Sequence, residues 1–486
     1  MNKIFLAALM SFLWTVSSAQ NQRLSLVQVI ELAKDQSPSA KVAETRKQNR
    51  YWFYRLYKSN YNPRLNLFGS LPDYNRDFFQ NRLDDGEIAF QSREQISSTL
   101  NLGLFQPIAP TGGTISINSR VNRFQNLDSD VKRYNSTLFN VQLDQPLFGF
   151  NDLKWDQKTE PLRYEESKRS FVEEMEAISQ GATNRYFDYL DAQINLQIAL
   201  FNLENNETVY NIEQGRYNIG TTSKDKILQV ELQLLKSRQD VTQANLDLQT
   251  SELDLRSFIG LQAGTSTDTL KLEPPSELPE FGISIEKALL YAKQNRADYV
   301  QFERRRLEAK REVVRAKSQR FQTDLRASFG LNKAGSTFSE SYSDPNDQQR
   351  VNVTLSVPLL DWGRSKSRIQ VALAEQQLEQ YLLDQDIQNF EQEIVTLVRR
   401  FEVLRSQVEI TKKSDEVAQE RYNVAQNRYL IGKIDITNLN IALTEKDRAK
   451  RDYIQALRSF WTSYFDLRRL TLYDFLHDEL LYQQED

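Results

Sequence analysis

Residues 364–431 read RSKSRIQVALAEQQLEQYLLDQDIQNFEQEIVTLVRRFEVLRSQVEITKKSDEVAQERYNVAQNRYLI, 68 positions with neither proline nor glycine. Those two residues are the strongest helix breakers, so the stretch reads as one helix. At ~1.5 Å rise per residue it is about 100 Å long. Within it Ile387, Phe390, Ile394, Leu397, Phe401, Leu404 and Val408 step alternately by three and four. That is a narrow coiled-coil seam; an ordinary core-facing helix would carry a wider stripe, and here the flanking positions are mostly charged or amide. A rod this long and polar needs partners along its whole length. Proline is also absent from 162 to 273, and Gly432 is the only glycine after Gly363.

Elsewhere the period is two. Val351, Val353 and Leu355 alternate with Asn352 and Thr354, Leu100, Leu102 and Leu104 with Asn101 and Gly103. Ile115 and Ile117 alternate with Ser116 and Asn118, and Phe139, Val141 and Leu143 with Asn140 and Gln142. With shorter runs at 65–71 and 325–331, the pattern predicts six strands of about 7 to 12 residues, near what a tilted membrane-spanning strand needs. Taken singly, each strand fits a soluble sandwich equally well. The connections favour a membrane wall: 107–113 reads as a tight turn, whereas 72–94, 125–135 and 332–349 read as long polar loops.

The chain repeats itself. Tyr210, Asn211, Gln214, Arg216, Tyr217, Ile219 and Gly220 recur 212 residues on as Tyr422, Asn423, Gln426, Arg428, Tyr429, Ile431 and Gly432. The same offset carries Val141, Leu143, Pro146 and Leu147 onto Val353, Leu355, Pro358 and Leu359. Two separated segments agreeing at one offset indicate an ancestral duplication. At the start of each half, Leu24-Ser25-Leu26 matches Ile283-Ser284-Ile285 at an offset of 259, so the first half is longer by 259 − 212 = 47 residues. The excess is expected to hold an additional hairpin around Pro110-Thr111-Gly112-Gly113. The expected organisation is a first repeat over 20–271, a proline-rich linker over 272–282, a second repeat over 283–472 and an acidic tail over 473–486. In each repeat the two shorter helices are expected to stack end to end beside the long one.

Residues 1–19 have the form of a secretory signal: Lys3, an apolar run over 4–16, then Ser17-Ser18-Ala19 for cleavage before Gln20. The apolar run is too short to cross a ~30 Å hydrocarbon core as a helix. The remaining composition excludes much. With 40% hydrophobic residues, 26% charged and a net charge of −4, the chain lacks helical membrane spans and any overall basic character for nucleic acid. It has no cysteine and one histidine, His477, which removes cysteine nucleophiles, thiolate metal sites and the usual general base. No nucleotide, nucleophile-elbow or metal-helix motif occurs. No enzyme activity, cofactor or metal is expected.

A signal peptide, duplicated strand–helix halves, and Val357-Pro358-Leu359-Leu360-Asp361-Trp362-Gly363 leading into a long helix, with Pro146 its first-half counterpart, together resemble the TolC-like outer-membrane efflux family. Arg-Tyr-x-x-Gly, used twice between helices, strengthens the resemblance, which covers nearly all of the mature chain. It implies a mainly α protein with membrane β-structure. Long helices would form an α-barrel across the periplasm, and the strands would contribute to a trimeric transmembrane β-barrel in the outer membrane. Such a channel has no energy source of its own and works with a periplasmic adaptor and an inner-membrane pump of RND or ABC type. Members usually supply four strands per chain; six are predicted here, so the extra hairpin either joins the wall or sits as a plug or surface flap.

By the same resemblance, the turns at Gly220 and Gly432 form the periplasmic tip. There Ser223 and Asp435 are expected N-caps, and Arg216 and Arg428 either tether helix-end carbonyls or serve docking and gating. Tyr217 and Tyr429 flank these arginines, and Tyr429 matches the family's gate tyrosine. Its acidic partner falls on Lys226, the family's gate arginine on Ile434, and the two ring aspartates on Asn438 and Ile441. That lock is therefore not reproduced, and a different one is expected from Lys224, Asp225, Lys226, Lys433 and Asp435. Charge reversal at Asp225 or Asp435 is expected to raise conductance. The rival readings are a periplasmic adaptor, which would need one helical hairpin and glycine-rich β-domains, and an exported coiled-coil scaffold without a pore. Cargo and pump class are not legible, because fold does not fix cargo.

Overall fold

The computed structural model describes residues 23–82, 84, 86–261, 270–275, 278, 279 and 281–482. The expected cleavage between Ala19 and Gln20, part of the linker and the last four residues lie outside them.

In the first half, β1 (Arg23–Leu24), α1 (Leu26–Gln36) and α2 (Pro38–Ser59) lead into β2 (Arg64–Arg82), β3 (Ile88–Ile108), β4 (Gly113–Asn126) and β5 (Val131–Pro146). Then come α3 (Asp152–Asn218) and α4 (Lys224–Phe258). After β6 (Lys271–Leu272), the second half runs α5 (Ile285–Asn295), α6 (Ala297–Ser318), β7 (Gln322–Gly335), β8 (Asn346–Ser356), α7 (Arg364–Leu430) and α8 (Ile436–Thr471). A short hairpin, β9 (Tyr473–Asp474) and β10 (Glu479–Leu480), follows. Helix lengths of 11, 22, 67 and 35 residues recur as 11, 22, 67 and 36. The duplication is thus written in the elements. Its local chemistry repeats as well: Ser25 accepts a hydrogen bond from the Gln28 N–H to start α1, and Ser284 from the Lys287 N–H to start α5. The halves differ by β3 and β4, since α2 leads into β2 as α6 leads into β7, and β5 leads towards α3 as β8 leads towards α7.

The six long strands form one antiparallel sheet in the order β2-β3-β4-β5-β7-β8. Most of the expected long loops are corrected to strand: 73–82 pairs with 88–97, and 346–349 pairs with 329–332. Pro72 lies inside the first of these strands. It is tolerated because β2 is an edge strand and its register shifts between Ser70 and Asp73. The β2–β3 strands consequently reach 19 and 21 residues, against ~9–11 for a membrane crossing.

The chain divides into two compact units, and the long helices contribute to both. One unit comprises the strands with 49–63, 147–166, 300–321 and 357–386. In it the helical segments form a row in the order α2, α3, α6, α7. Tyr54 stacks on Tyr164 at 4.4 Å, Arg304 Nε meets Glu166 Oε2 at 2.6 Å, and Arg305 Nε meets Glu379 Oε1 at 2.6 Å. The other unit takes the remaining helical segments and the short strand pairs. Its core joins Tyr186, Phe187 and Leu190 of α3 to Ile394 and Phe401 of α7 and to Phe460 and Tyr464 of α8. The seam read from the sequence supplies this core directly: Phe390, Ile394, Leu397, Phe401 and Val408 are all buried.

Candidate functional site

Alternation puts two chemistries on the two faces of the six-stranded sheet. Cross-strand partners share a face, and the pairs Leu67–Leu102, Leu104–Ile117, Ile117–Val141, Val141–Phe329 and Leu325–Val353 run an apolar band through every strand. Among the described residues nothing covers this band: Leu67 is 69% exposed, Leu102 46%, Ile117 44% and Val351 75%. A contiguous apolar area of that extent marks a membrane or protein interface. The opposite face carries Asn66, Asn101, Asn118, Asn140, Gln142, Ser328, Asn352 and Thr354. Its side chains bond each other, for example Asn122 Nδ2 to the hydroxyls of Ser97 at 3.0 Å and Thr99 at 2.7 Å.

At the foot of β5 and β8 the chain turns into the long helices. Pro146 is the last residue of β5, and Pro358 lies just beyond β8. Asp361 accepts hydrogen bonds from the Gly363 N–H at 3.0 Å and the Ser365 N–H at 2.9 Å, which satisfies the open donors at the start of α7. The Ser365 hydroxyl foremost, then the Ser365 and Gly363 N–H groups, hold its carboxyl below the usual aspartate value. Trp362 sits at φ 52° and Gly363 at φ 87°, and this double left-handed turn leaves the Trp362 side chain 90% exposed. Leu359 beside it is 97% exposed.

At the other ends of the long helices the two turns match almost bond for bond. The Thr221 N–H donates to the Arg216 carbonyl at 2.9 Å and the Gly220 N–H to that of Tyr217 at 2.9 Å. In the second half, Lys433 donates to Arg428 at 2.8 Å and Gly432 to Tyr429 at 2.9 Å. Both are Schellman closures, which need a left-handed residue, and Gly220 and Gly432 stand at φ 76° and 71°. Ser223 then caps α4 through the Lys226 N–H, and Asp435 caps α8 through the Asn438 N–H at 2.9 Å, with the Asn438 amide on the same oxygen at 2.8 Å.

The side chains break this symmetry. Tyr429 is buried while Tyr217 is 42% exposed. Tyr429 OH donates to Glu213 Oε1 at 2.9 Å, Arg216 Nη1 donates to the same oxygen at 2.6 Å, and the guanidinium lies over the Tyr429 ring at 5.4 Å. The group fastens the α3–α4 turn to the α7–α8 turn above a small apolar cluster of Val209, Val230, Tyr422, Ile436 and Leu439. Burial pushes the Glu213 carboxyl up, but the bonds from Tyr429 and Arg216 outweigh it and leave its pKa below the ordinary value. Burial first, then the bond to Glu213, raises the Tyr429 phenol.

Several expectations are corrected here. Of the two roles expected for Arg216, the tethering of a helix-end carbonyl is not seen; its guanidinium holds Glu213. The tyrosine's partner is Glu213 rather than a residue at the Lys226 position, though Lys226 lines the same cleft. Asp435 and Asn438 are engaged in capping. Asp225, Lys226 and Arg428 are exposed, and among the described residues no ion pair within the chain joins Lys224, Asp225, Lys226, Lys433 and Asp435 into a lock. Glu213 was missed, although a signal existed: 212 residues on, its counterpart is Ala425, so it is an acid that one copy of the repeat has and the other lacks.

A family model described as outer membrane efflux protein matches residues 29–261 and 289–471. No curated protein matches. Among solved structures, the Campylobacter jejuni CmeC outer membrane channel is 14% identical with a TM-score of 0.67, covering 92% of this chain and 85% of that one. The Vibrio cholerae outer membrane protein VceC is 16% identical with a TM-score of 0.62, over 92% and 95%. The open state of the Neisseria gonorrhoeae MtrE outer membrane channel is 16% identical with a TM-score of 0.60, over 92% and 88%. At these identities the likeness is one of fold.

Proposed function

The chain belongs to the outer membrane efflux protein family, and from that premise we propose that three copies assemble into a passive exit duct whose tip is held shut by Tyr429, Glu213 and Arg216. The protein is an outer-membrane channel component of tripartite efflux systems. In the proposed assembly a periplasmic adaptor docks at the turns around Gly220 and Gly432 and connects the duct to an inner-membrane pump of RND or ABC type. Cargo is driven by that pump, since the channel family contributes no energy source.

The observation that carries this reading is the apolar band crossing all six strands, backed by a polar face of amides and hydroxyls. Such a sheet suits lipid on one side and water on the other. Its two edge strands, β2 and β8, expose unpaired backbone groups, which lipid does not tolerate, so copies of the chain must pair edge to edge. No helix among the described residues is long and apolar enough to cross a membrane, so the sheet is the element that supports insertion.

The exposed arginine, tyrosine and lysine side chains at the tip (Arg428, Tyr217 and Lys226) are available to an adaptor, whereas Tyr429 and Arg216 are engaged in holding the two turns together. The test is purification of the mature protein from outer membranes followed by denaturing gels without boiling and planar-bilayer recording. Oligomers of three chains that conduct ions are expected. A soluble monomer, or a membrane protein that never conducts even when Tyr429 is removed, overturns the reading.

A further inference from the structure

We propose that the β3–β4 hairpin is part of the channel wall, so that three copies close a barrel of eighteen strands through a β8–β2 seam of defined register. The inference rests on the trimeric channel proposed above. Within one chain the hairpin occupies the middle of the sheet, with β3 on β2 and β4 on β5. Its outward residues Leu100, Leu102, Leu104, Ile115 and Ile117 continue the apolar band of the older strands. A plug inside a water-filled pore would have no use for that pattern.

The hairpin's turn is also bolted to the wall's base. Asn151 Nδ2, at the start of α3, donates to the Ala109 carbonyl at 2.8 Å, and Thr111 Oγ1 donates to Gln145 Oε1 of β5 at 2.7 Å. Gln106 Nε2 donates to the Tyr61 carbonyl at 2.9 Å, beside the start of β2. Bonds from both flanking segments to this end of the hairpin do not suit a mobile flap.

The register then dictates how copies meet. Following paired residues across the sheet leads from Arg64 to Phe105, Ser116, Gln142, Ser328 and Arg350. β2 begins at Arg64, but β8 ends at Ser356, so the sheet slips by 356 − 350 = 6 residues over its six strands. With ~3.4 Å per residue and ~4.8 Å between strands, that stagger corresponds to a tilt of about 35°, the value closed barrels adopt. Placing Ser356 beside Arg64 of the next copy makes the ends of both strands level. The same placement sets Leu355 beside Leu65, Val353 beside Leu67 and Thr354 beside Asn66. Apolar meets apolar outside and amide meets hydroxyl inside, so the seam has the chemistry of the strands it joins.

Eighteen strands at this tilt have a circumference of ~105 Å. The row of four helical segments in the same unit, taken three times at ~9 Å spacing, gives ~108 Å. Four strands per copy would give only ~70 Å at the same tilt. The inserted hairpin therefore matches the sheet's girth to that of the helices that carry it.

Because the chain has no cysteine, cross-links and labels can be placed singly. Oxidation of Asn66→Cys with Thr354→Cys is expected to give covalently joined trimers on denaturing gels. Asn66→Cys with Asn352→Cys, two residues out of register, should link several-fold less. Nitroxide labels at Leu102→Cys and Ile117→Cys should collide with oxygen and be shielded from a water-soluble nickel chelate, as at Val141→Cys in an older strand. Trimers in which only the first two labels meet the chelate, or in which only the out-of-register pair links, overturn the eighteen-strand wall and leave the channel standing. Absence of trimers removes the channel reading and this inference together.

Discussion

In the proposed duct, Glu213 is the one side chain that turns a duplicated turn into a latch. Its carboxylate is 5% exposed and takes bonds from both Tyr429 and Arg216. Hydrogen bonds to a charged group contribute about 1.5–3 kcal/mol, so Glu213→Gln or Tyr429→Phe should shift the closed–open balance roughly tenfold or more towards open. Single-channel recording reads this as longer or larger conducting events. Since the folded pKa lies below the ordinary glutamate value of 4.5, the latch is at full strength above that value and is lost only as pH falls through the depressed pKa. Conductance should therefore stay level from neutral pH down to about 4.5 and rise only below it. Charge reversal is informative at Asp225 alone, because at Asp435 it also removes a cap that contributes about 1 kcal/mol.

A second buried cluster holds the acidic tail in place. Arg468 Nε meets Glu176 Oε2 at 2.8 Å and its Nη1 meets Asp474 Oδ2 at 2.5 Å, while Lys34 Nζ meets Glu176 Oε1 at 2.6 Å. Tyr464 donates to Asp474 Oδ1 at 2.7 Å, and Tyr473 stacks on Tyr291 at 3.8 Å. The tail is thereby fastened to α5 and α8, and through Arg468 to Glu176 of α3. Burial pushes the Asp474 carboxyl up, but His477, Tyr464 and Arg468 outweigh it and its pKa falls below the usual value. Arg468→Ala removes the cation that bridges two nearly unexposed carboxylates, leaving Glu176 to Lys34 and Asp474 to His477 and Tyr464, and should lower stability by about 3 kcal/mol, measurable by denaturant unfolding.

At the scale of elements, the helices follow from what is missing between their ends. Sixty-seven residues without a break form α7, and α3 runs the same length despite Pro161 near its start. Each rod ends where glycine supplies a left-handed residue. Gly220 and Gly432 have open space around a would-be Cβ, so the requirement is conformational rather than steric. Gly432→Ala should cost about 1 kcal/mol locally, seen as faster amide hydrogen exchange over 428–436 with little change in the rest of α7. The strands proved harder to bound. Their upper halves mix Arg76, Asp77, Arg93 and Glu94 with Phe78 and Phe90, which hides the alternation, yet the cross-strand Arg93–Asp77 pair at 2.7 Å belongs to a regular ladder.

At the scale of the whole molecule, the two faces of the sheet make opposite demands on the same substitution. Val141→Arg on the apolar face should cost about 2–4 kcal/mol if that face meets the bilayer centre. It should deplete heat-resistant oligomers in the outer membrane. Asn140→Arg, one residue away on the polar face, should assemble normally and change ion selectivity instead. Equal tolerance of both would mean that the apolar face does not meet lipid.

The order of amino acids alone determined the rods, the duplication, the two-faced strands and the paired glycine turns. Each is a local matter of period, breaker or offset. The membership of β3 and β4 in the middle of the sheet, the choice of Glu213 as the partner of Tyr429, and the docking of the tail through Arg468 were decided only by tertiary structure. Glu213 and Tyr429 lie 216 residues apart, and Arg468 and Glu176 lie 292 apart. A carboxylate's preference for an arginine or a phenol does not say which one the fold will bring within 3 Å.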